Sequence, residues 1–167
     1  MPNSPHKKPL LMIRQNLNNL PVLTFPRGWL VRFYKPGDEV HWVRIQQAAD
    51  QFNEITPKVF DRYFNDREQL VSRQIYLFQP GNPPIGTVTA WFNHDFRGAS
   101  WGRVHWLAVL PEHQGKGLGK ALFSLACRRL AELGHSRAYL TTARERTAAV
   151  RLYKSFGFIE LPTGDEE

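Results

Sequence analysis

The chain has only one cysteine among its 167 residues, and it has no long apolar run. The single thiol, Cys127, excludes an intrachain disulfide and is typical of a protein in the reducing cytoplasm. A helix that crosses a bilayer needs about 20 apolar residues in succession, and no stretch approaches that length. The N-terminal residues lack the sustained apolar segment and the cleavage site of a signal peptide. We therefore expect a cytoplasmic protein without membrane contact.

Internal repeats, low-complexity segments and polybasic arms are also missing. The net charge is +7, but the basic residues are scattered, and pairs such as Lys7-Lys8 and Arg128-Arg129 are short. A nucleic-acid-binding protein is expected to carry a contiguous basic stripe with interleaved aromatic residues. Nucleic acid is therefore not an expected partner. The apolar fraction of 42% is typical of a globular domain.

The order of the predicted elements points to an α/β fold with a mixed sheet. Residues 1–27 are rich in proline and are predicted to form an extended arm, whereas residues 28–167 are predicted to form one domain. Strands are expected at residues 29–33, 74–78, 85–92, 103–110, 138–142 and from 158. Four main helices are expected, two of them between residues 38 and 64, one after a glycine-rich loop, and one over residues 147–156. The resulting order is β-α-α-β-β-β-α-β-α-β.

The glycine-rich loop is the most informative segment. It joins a strand to an amphipathic helix and reads Gln114-Gly115-Lys116-Gly117-Leu118-Gly119-Lys120. Glycine lets backbone N–H groups approach a ligand, and a helix start adds free donors and the positive end of its dipole, so an anion such as a diphosphate is the expected ligand. The dinucleotide and Walker fingerprints fail, because Lys120, Leu122, Gln114 and Ala121 stand where they require other residues. The alternative is a helix start that uses its glycines for a tight turn alone.

Two motifs resemble the GCN5-related N-acetyltransferase (GNAT) superfamily. The family's pyrophosphate loop, Arg/Gln-x-x-Gly-x-Gly/Ala, follows a strand that ends Val-x-Pro, and this chain has Val109-Leu110-Pro111 before Gln114. The family's later helix, Asn-x-x-Ala-x-x-Leu-Tyr closing on Gly-Phe, is matched by Ala149-Val150-Arg151-Leu152-Tyr153 and Gly157-Phe158. The resemblance covers residues 29 to 161.

The resemblance implies a splayed central sheet and an acetyl-CoA-dependent enzyme that transfers acetyl directly to an amine, without a resident metal. It implies that the backbone of Leu107, Ala108 and Val109 pairs with the pantetheine arm, as in β-strand addition, and that the Val109 N–H stabilises the thioester oxyanion. It implies that the loop from Gln114 to Lys120 binds the pyrophosphate. It also implies that Tyr153 is the general acid that protonates the departing thiolate. Without the resemblance, Tyr153 would be interpreted as a core residue.

Two positions depart from the family pattern. Arg146 stands where the family has an asparagine near the pantetheine arm, so the role of Arg146 is open. The family also adds a strand after Gly-Phe, and the last residues of this chain contain no apolar run for it. We expect the N-terminal arm or a second copy of the chain, in a homodimer, to cover that sheet edge, or else the sheet is one strand short.

His105 is the candidate general base. Strand alternation predicts that it lies on the same side as Leu107 and Val109, and it stands where many family members have a carboxylate. An unperturbed imidazole has a pKa of about 6.5, which predicts an acidic limb of activity near pH 6 to 7. The alternative is a histidine satisfied by hydrogen bonds within the sheet. Other residues that are candidates for the acceptor side are His94, Asp95, Glu54, Trp91, Trp101 and Trp106.

Two other classes of function compete with the enzyme. A non-catalytic module that binds acyl-CoA would keep the glycine loop and lose turnover, and the presence of Tyr153 favours the enzyme over it. A nucleic-acid binder is suggested by the net charge alone. A covalent intermediate is not expected, because Cys127 lies in the middle of a predicted helix. The acceptor is open, from a small amine to a protein lysine or N-terminus.

Overall fold

Seven strands form one sheet in the computed structural model, which describes residues 9–161. The elements in chain order are β1 (Leu10–Arg14), β2 (Leu30–Phe33), α1 (Glu39–Ala49), α2 (Pro57–Tyr63), α3 (Arg67–Arg73), β3 (Gln74–Phe78), β4 (Gly86–Phe96), β5 (Ala99–Val109), a 3-10 turn (Pro111–His113), α4 (Leu118–Glu132), β6 (Ala138–Thr142), α5 (Thr147–Ser155) and β7 (Ile159–Glu160). The sheet order is β2-β3-β4-β5-β6-β1-β7, and only the β5–β6 pair is parallel. The predicted α/β class with a mixed sheet is confirmed.

A strand from the N-terminal segment is an addition to the predicted order. β1 lies between β6 and β7 and pairs antiparallel with both. Its residues Leu10, Met12 and Ile13 are buried. Because the strand is short and directly follows Pro9, the sequence shows no clear strand pattern there. Part of the predicted arm therefore belongs to the sheet, whereas residues 1–8 and 162–167 lie outside the described part.

A fifth α-helix, α3, was also not predicted. Its seven residues bury Leu70 and Arg73. One buried apolar residue over two turns carries no helical periodicity, so the pattern that revealed the other helices is missing here. Residues 9–161 thus contain five α-helices, one short helix more than the four main helices that the sequence predicts.

The core lies on both faces of the sheet. On one face, α4 and α5 pack through Leu122, Phe123 and Phe156 against residues such as Ile75 and Leu77. On the other face, α1 and α2 contribute Trp42, Phe60 and Phe64, which pack with Tyr76 and Trp91. Neighbouring residues of β3 thus enter different clusters, as the alternation of a strand requires. Among the helices of residues 9–161, none is long and apolar enough to cross a membrane.

Candidate active site

Strand β5 is paired on one side along most of its length and on the other side only near its start. It pairs with β4 from Ala99 to Val109. Its ladder with β6 contains only the pairs Gly102–Ala138 and Arg103–Tyr139. Beyond Arg103 the two parallel strands no longer pair, so the second half of β5 presents an open edge toward β6 and the segment that leads to α5.

A β-bulge divides the two halves of β5. Thr89 pairs with His105 and Thr87 pairs with Ala108, so Trp106 and Leu107 together face the single residue Val88. The φ of Trp106 is 53°, in the left-handed region that bulky residues rarely adopt. Because of this extra residue, the alternating directions of the backbone groups and side chains are offset by one residue in the rest of the strand.

The phase shift decides which backbone groups face the open edge. Gly102 donates its N–H to Arg137 at 3.0 Å, so in the first half the even-numbered residues point toward β6. Leu110 donates to the Ile85 carbonyl at 2.8 Å, so in the second half the even-numbered residues point toward β4. Because direction alternates along a strand, Leu107 and Val109 direct their N–H and C=O groups to the open edge. The Val109 carbonyl accepts a hydrogen bond from Gln114 Nε2 at 2.9 Å, which leaves its N–H facing the edge.

The bulge also overturns one prediction about His105. Cross-strand partners share a face, so His105, opposite Thr89, lies on the same face as Ala108, opposite Thr87. Val109 lies opposite Gly86, on the other face. The prediction that His105 shares the side of Leu107 and Val109 was wrong, because it assumed an uninterrupted strand.

His105 lies instead in an aromatic cluster on the α1 and α2 face. Its ring centroid is 5.3 Å from that of Tyr63 and 5.8 Å from that of Trp106, and it is also close to Phe64. Burial, with a smaller contribution from Arg103, lowers the pKa of His105 well below 6.5. The imidazole is therefore neutral at neutral pH, the form that accepts a proton. The predicted acidic limb near pH 6 to 7 assumed an unperturbed pKa, and burial moves the expectation to lower pH.

The glycine loop is exposed and rich in free donors. Gly115 and Gly117 have φ values of 79° and 81°, and a Cβ at either position would meet nothing within 4 Å. Gly117 caps α4 in the left-handed conformation. Within residues 9–161, the N–H groups of residues 115–120 have no hydrogen-bond acceptor in the protein. Gly119 differs, because a Cβ there would lie 3.9 Å from the Val109 side chain, an ordinary van der Waals distance, which places the helix start beside the end of β5.

Tyr153 projects from α5 toward α4. Its ring centroid lies 4.9 Å from that of Phe123. Burial raises the pKa of the phenol to about 12, and the positive charge of Arg146 opposes part of that rise. The hydroxyl is therefore protonated at neutral pH. The Gly-Phe motif fixes the end of this helix, since Gly157 has a φ of 81° and Phe158 donates its N–H to the Tyr153 carbonyl at 3.1 Å.

Cys127 is not arranged as a nucleophile. It is fully buried in α4. Burial raises the pKa of its thiol to about 12. Because the thiolate is the reactive form, this residue supports no covalent step at neutral pH.

Arg146 connects the start of α5 with the end of α1. Its guanidinium lies 3.3 Å from Asp50 Oδ1 and 5.2 Å from the centre of the Phe52 ring. Hydrogen bonds from Asn53 and Phe52, together with Arg146, lower the pKa of Asp50 despite its partial burial. The loop after α1 is thus tied to the segment that forms the far side of the open edge.

The comparisons with known proteins agree with this geometry. The model of the Acetyltransferase (GNAT) family matches residues 38–158. The chain belongs to the GNAT family. A mycothiol acetyltransferase of Streptomyces griseus is 32% identical to this GNAT chain over 148 residues, which are 83% of the chain and 45% of that protein. The chain spans about half the length of the curated relatives that it matches.

Solved structures share the fold. A GCN5-related N-acetyltransferase from Sphaerobacter thermophilus matches with a TM-score of 0.72 and 20% identity, over 92% of this chain and 48% of that one. The ribosomal-protein-S18-alanine N-acetyltransferase from Escherichia coli matches with a TM-score of 0.67 and 25% identity, over 80% of this chain and 79% of that one. Together with the family model, these likenesses confirm the superfamily that the two motifs resemble.

Several other residues named from the sequence lie elsewhere in the GNAT fold. His94 and Asp95 are exposed beside the β4–β5 turn, and His94 lies 3.4 Å from Ser100. At about 3.3 Å per strand residue, that end of β5 is roughly 30 Å from Val109. Trp101 packs with Phe96 at the same end, and Trp91 lies in the core. Trp106 packs on His105 itself, Trp91 packs on Phe64 of the same cluster, and Glu54 is exposed in the loop before α2.

Sequence reasoning missed two residues of the site, Gln46 and Asp50. They are four residues apart at the end of α1, so they lie on one side of the helix. Gln46 Nε2 donates to the Trp106 carbonyl at 2.9 Å, while Asp50 holds Arg146. One turn of α1 therefore contacts both β5 and the start of α5. Neither residue belongs to a motif, so no local pattern could have identified them.

Proposed function

We propose that this GNAT chain is a catalytic N-acetyltransferase that moves the acetyl group of acetyl-CoA directly to an amine. The observation that carries the proposal is the Val109 N–H, which faces an open strand edge directly before the glycine loop. A preformed backbone donor at that position suits a thioester oxygen that gains negative charge.

Binding of the cofactor is assigned to two backbone surfaces. Residues 107–109 pair with the pantetheine amides at the open edge. The free N–H groups of residues 115–120 take the pyrophosphate, and Lys116 and Lys120 add positive charge beside them. Arg146 lies at the far side of the edge, where it is proposed to contact the arm of the cofactor while it holds Asp50.

Three groups of the chain serve the transfer step. His105, neutral because it is buried, accepts a proton from the attacking amine. The Val109 N–H stabilises the charge on the thioester oxygen while the carbon–nitrogen bond forms. Tyr153, protonated because its pKa is raised, donates its proton as the carbon–sulfur bond breaks, and the products are an amide and a thiol.

The proposal defines the acceptor as an amine and does not name one compound. Relatives and neighbours are named for mycothiol and for the alanine of ribosomal protein S18, so the fold does not fix one acceptor. We propose an amine, in a small molecule or in a protein, that approaches past Tyr63 and Trp106. A cytoplasmic location fits the single buried thiol.

A free-thiol release assay tests the proposal. Purified protein is mixed with acetyl-CoA and a library of primary amines, and thiol is measured with and without each amine. The proposal predicts release that depends on the amine and stops in Gly117→Asp. Tight binding of acetyl-CoA without amine-dependent release from any member would contradict catalysis and favour a non-catalytic module that binds acyl-CoA.

A further inference from the structure

The bulge in β5 is held from outside the sheet by one buried side chain. Gln46, on α1, is 2% exposed, and its Nε2 donates to the Trp106 carbonyl at 2.9 Å. A carbonyl inside a regular strand would bond to a neighbouring strand, but this one is turned toward a helix. The amide of Gln46 therefore supplies the partner that the bulge removes.

The residue at the bulge does not favour the conformation that it adopts. Glycine is the usual residue at a positive φ in a bulge, and a bulky side chain there costs free energy. Trp106 has a φ of 53° and a large, partly buried ring. Contacts around it must offset that cost. Gln46 provides a hydrogen bond, and Trp42 and Tyr63 each pack at a ring-centroid distance of 5.3 Å.

A bulge-free strand would hide the proposed oxyanion donor. In the first half of β5 the odd-numbered residues face β4, because Gly102 faces β6. Without the extra residue that phase would continue, and Val109 would direct its N–H into the ladder with β4. The donor reaches the open edge only because the strand shifts by one residue at Trp106.

We infer that Gln46 is a positioning residue that locks the bulge at Trp106 and thereby directs the Val109 N–H to the open edge. The inference rests on the proposed function for its catalytic consequence. Its structural part is that Gln46 fixes which amides of β5 face the open edge. This part does not depend on the proposed function and can be measured in the free protein.

Amide hydrogen exchange on the free protein tests the phase directly. In the wild type, the amides of Leu107 and Val109 should exchange fast and that of Ala108 slowly. Gln46→Met keeps the size of the side chain and removes the donor. We expect it to diminish this alternation, with Val109 becoming protected or Ala108 losing protection. Gln47→Met is the matched control, because Gln47 Nε2 also donates to a backbone carbonyl at 2.9 Å, that of Ile55, and the alternation should persist in it.

A double-mutant cycle separates locking from general stability. Gln46→Met should weaken acetyl-CoA binding about tenfold, whereas in a Trp106→Gly background, where positive φ is no longer strained, it should change affinity less than about threefold. If Gln46→Met fails to fold alone, Gln46→Asn, which keeps an amide on a side chain one methylene shorter, takes its place in the exchange and affinity tests.

The outcomes distinguish the lock from the proposed function. If the wild type shows the alternating exchange but no acetyl-CoA binding, the proposed function fails, while Gln46→Met still tests the lock by exchange. Unchanged alternation and affinity in Gln46→Met would overturn the inference. Equal losses of affinity in both backgrounds would overturn it as well.

Discussion

The two halves of β5 differ in whether their backbone groups on the β6 side are paired. Gly102 and Arg103 are sealed into the sheet by β6, with Gly102 packed so closely that a Cβ would meet Leu130 at 3.0 Å. Past the bulge, the strand is paired on one side only, with β4, and Leu107 and Val109 direct their N–H and C=O groups to an open edge. The comparison teaches that a single extra residue, in an otherwise continuous strand, separates a structural segment from the segment proposed to bind the cofactor.

The two halves also differ in what surrounds them. Trp101 in the first half packs in a small cluster with Ile13 and Tyr139. The second half ends at the glycine loop and lies between α1 and the start of α5. Substitutions near the second half should therefore change binding and turnover, whereas equivalent substitutions elsewhere should change stability alone.

The largest effect is expected from Gly117→Asp. Aspartate places a carboxylate at the proposed pyrophosphate site and a side chain at a φ of 81°. Loss of charge-assisted hydrogen bonds predicts roughly 100-fold weaker acetyl-CoA binding, measured by calorimetry. Gly134→Asp is the matched control, because Gly134 has a φ of 92° at the other end of α4. It should cost at least as much stability, because a negative charge is unfavourable at the C-terminal end of a helix, and it should leave affinity intact. Equal affinities of the two variants would disprove the assignment of the loop.

Tyr153→Phe should act on turnover rather than on binding. The variant keeps the ring against Phe123 and removes the proton donor. The expected loss in kcat is roughly 10- to 1,000-fold, with little change in acetyl-CoA affinity. Steady-state kinetics on the true acceptor measure the effect. Wild-type turnover, with chemistry rate-limiting, would show that Tyr153 is a core residue only.

His105→Gln should have a smaller effect that depends on pH. A general base must be neutral, and burial lowers the pKa of His105 well below 6.5. The acidic limb of kcat/KM in the wild type should therefore lie below pH 6.5, with activity flat across neutral pH. Glutamine should remove that limb and lower kcat/KM at neutral pH by roughly 10-fold or more.

The stability of the same variant provides its control. A histidine whose pKa is lowered by folding is neutral in the native state and takes up a proton more readily when unfolded. The free energy of unfolding should therefore fall as pH drops below about 6.5, less steeply in His105→Gln than in the wild type. Full activity of the variant with the limb intact would leave His105 structural and assign proton removal to water or to another group such as Glu54.

Asp50→Asn should produce the smallest change. It weakens the ion pair with Arg146, which is partly exposed, so the expected effect on acetyl-CoA affinity is about fivefold or less. Glu132→Gln weakens an ion pair away from the site, Arg129–Glu132 at 3.0 Å at the far end of α4, whose carboxylate is more exposed than that of Asp50. Calorimetry measures the acetyl-CoA affinity of both variants. A loss no larger in Asp50→Asn than in Glu132→Gln would contradict a role for this pair at the site.

Features that neighbouring residues determine could be predicted from the sequence, whereas features that depend on residues far apart in the sequence could not. The glycine loop and α5 are local patterns, so the sequence located Gly117 and Tyr153 correctly on their elements. β1 and α3 escaped because each is short and is stabilised by distant partners. The bulge at Trp106 arises from the register with β4 and from Gln46, 60 residues away in sequence. A prediction that assumed simple alternation therefore put His105 on the wrong face, although its burial still fits the role of a base.

One measurement tests the central claim most directly, amide exchange of β5 with and without acetyl-CoA. If the open half of the strand binds the pantetheine arm, the cofactor should protect the amides of Leu107 and Val109 and leave Gly102, already bonded to Arg137, unchanged. Binding of acetyl-CoA with no protection at Leu107 and Val109 would contradict the account.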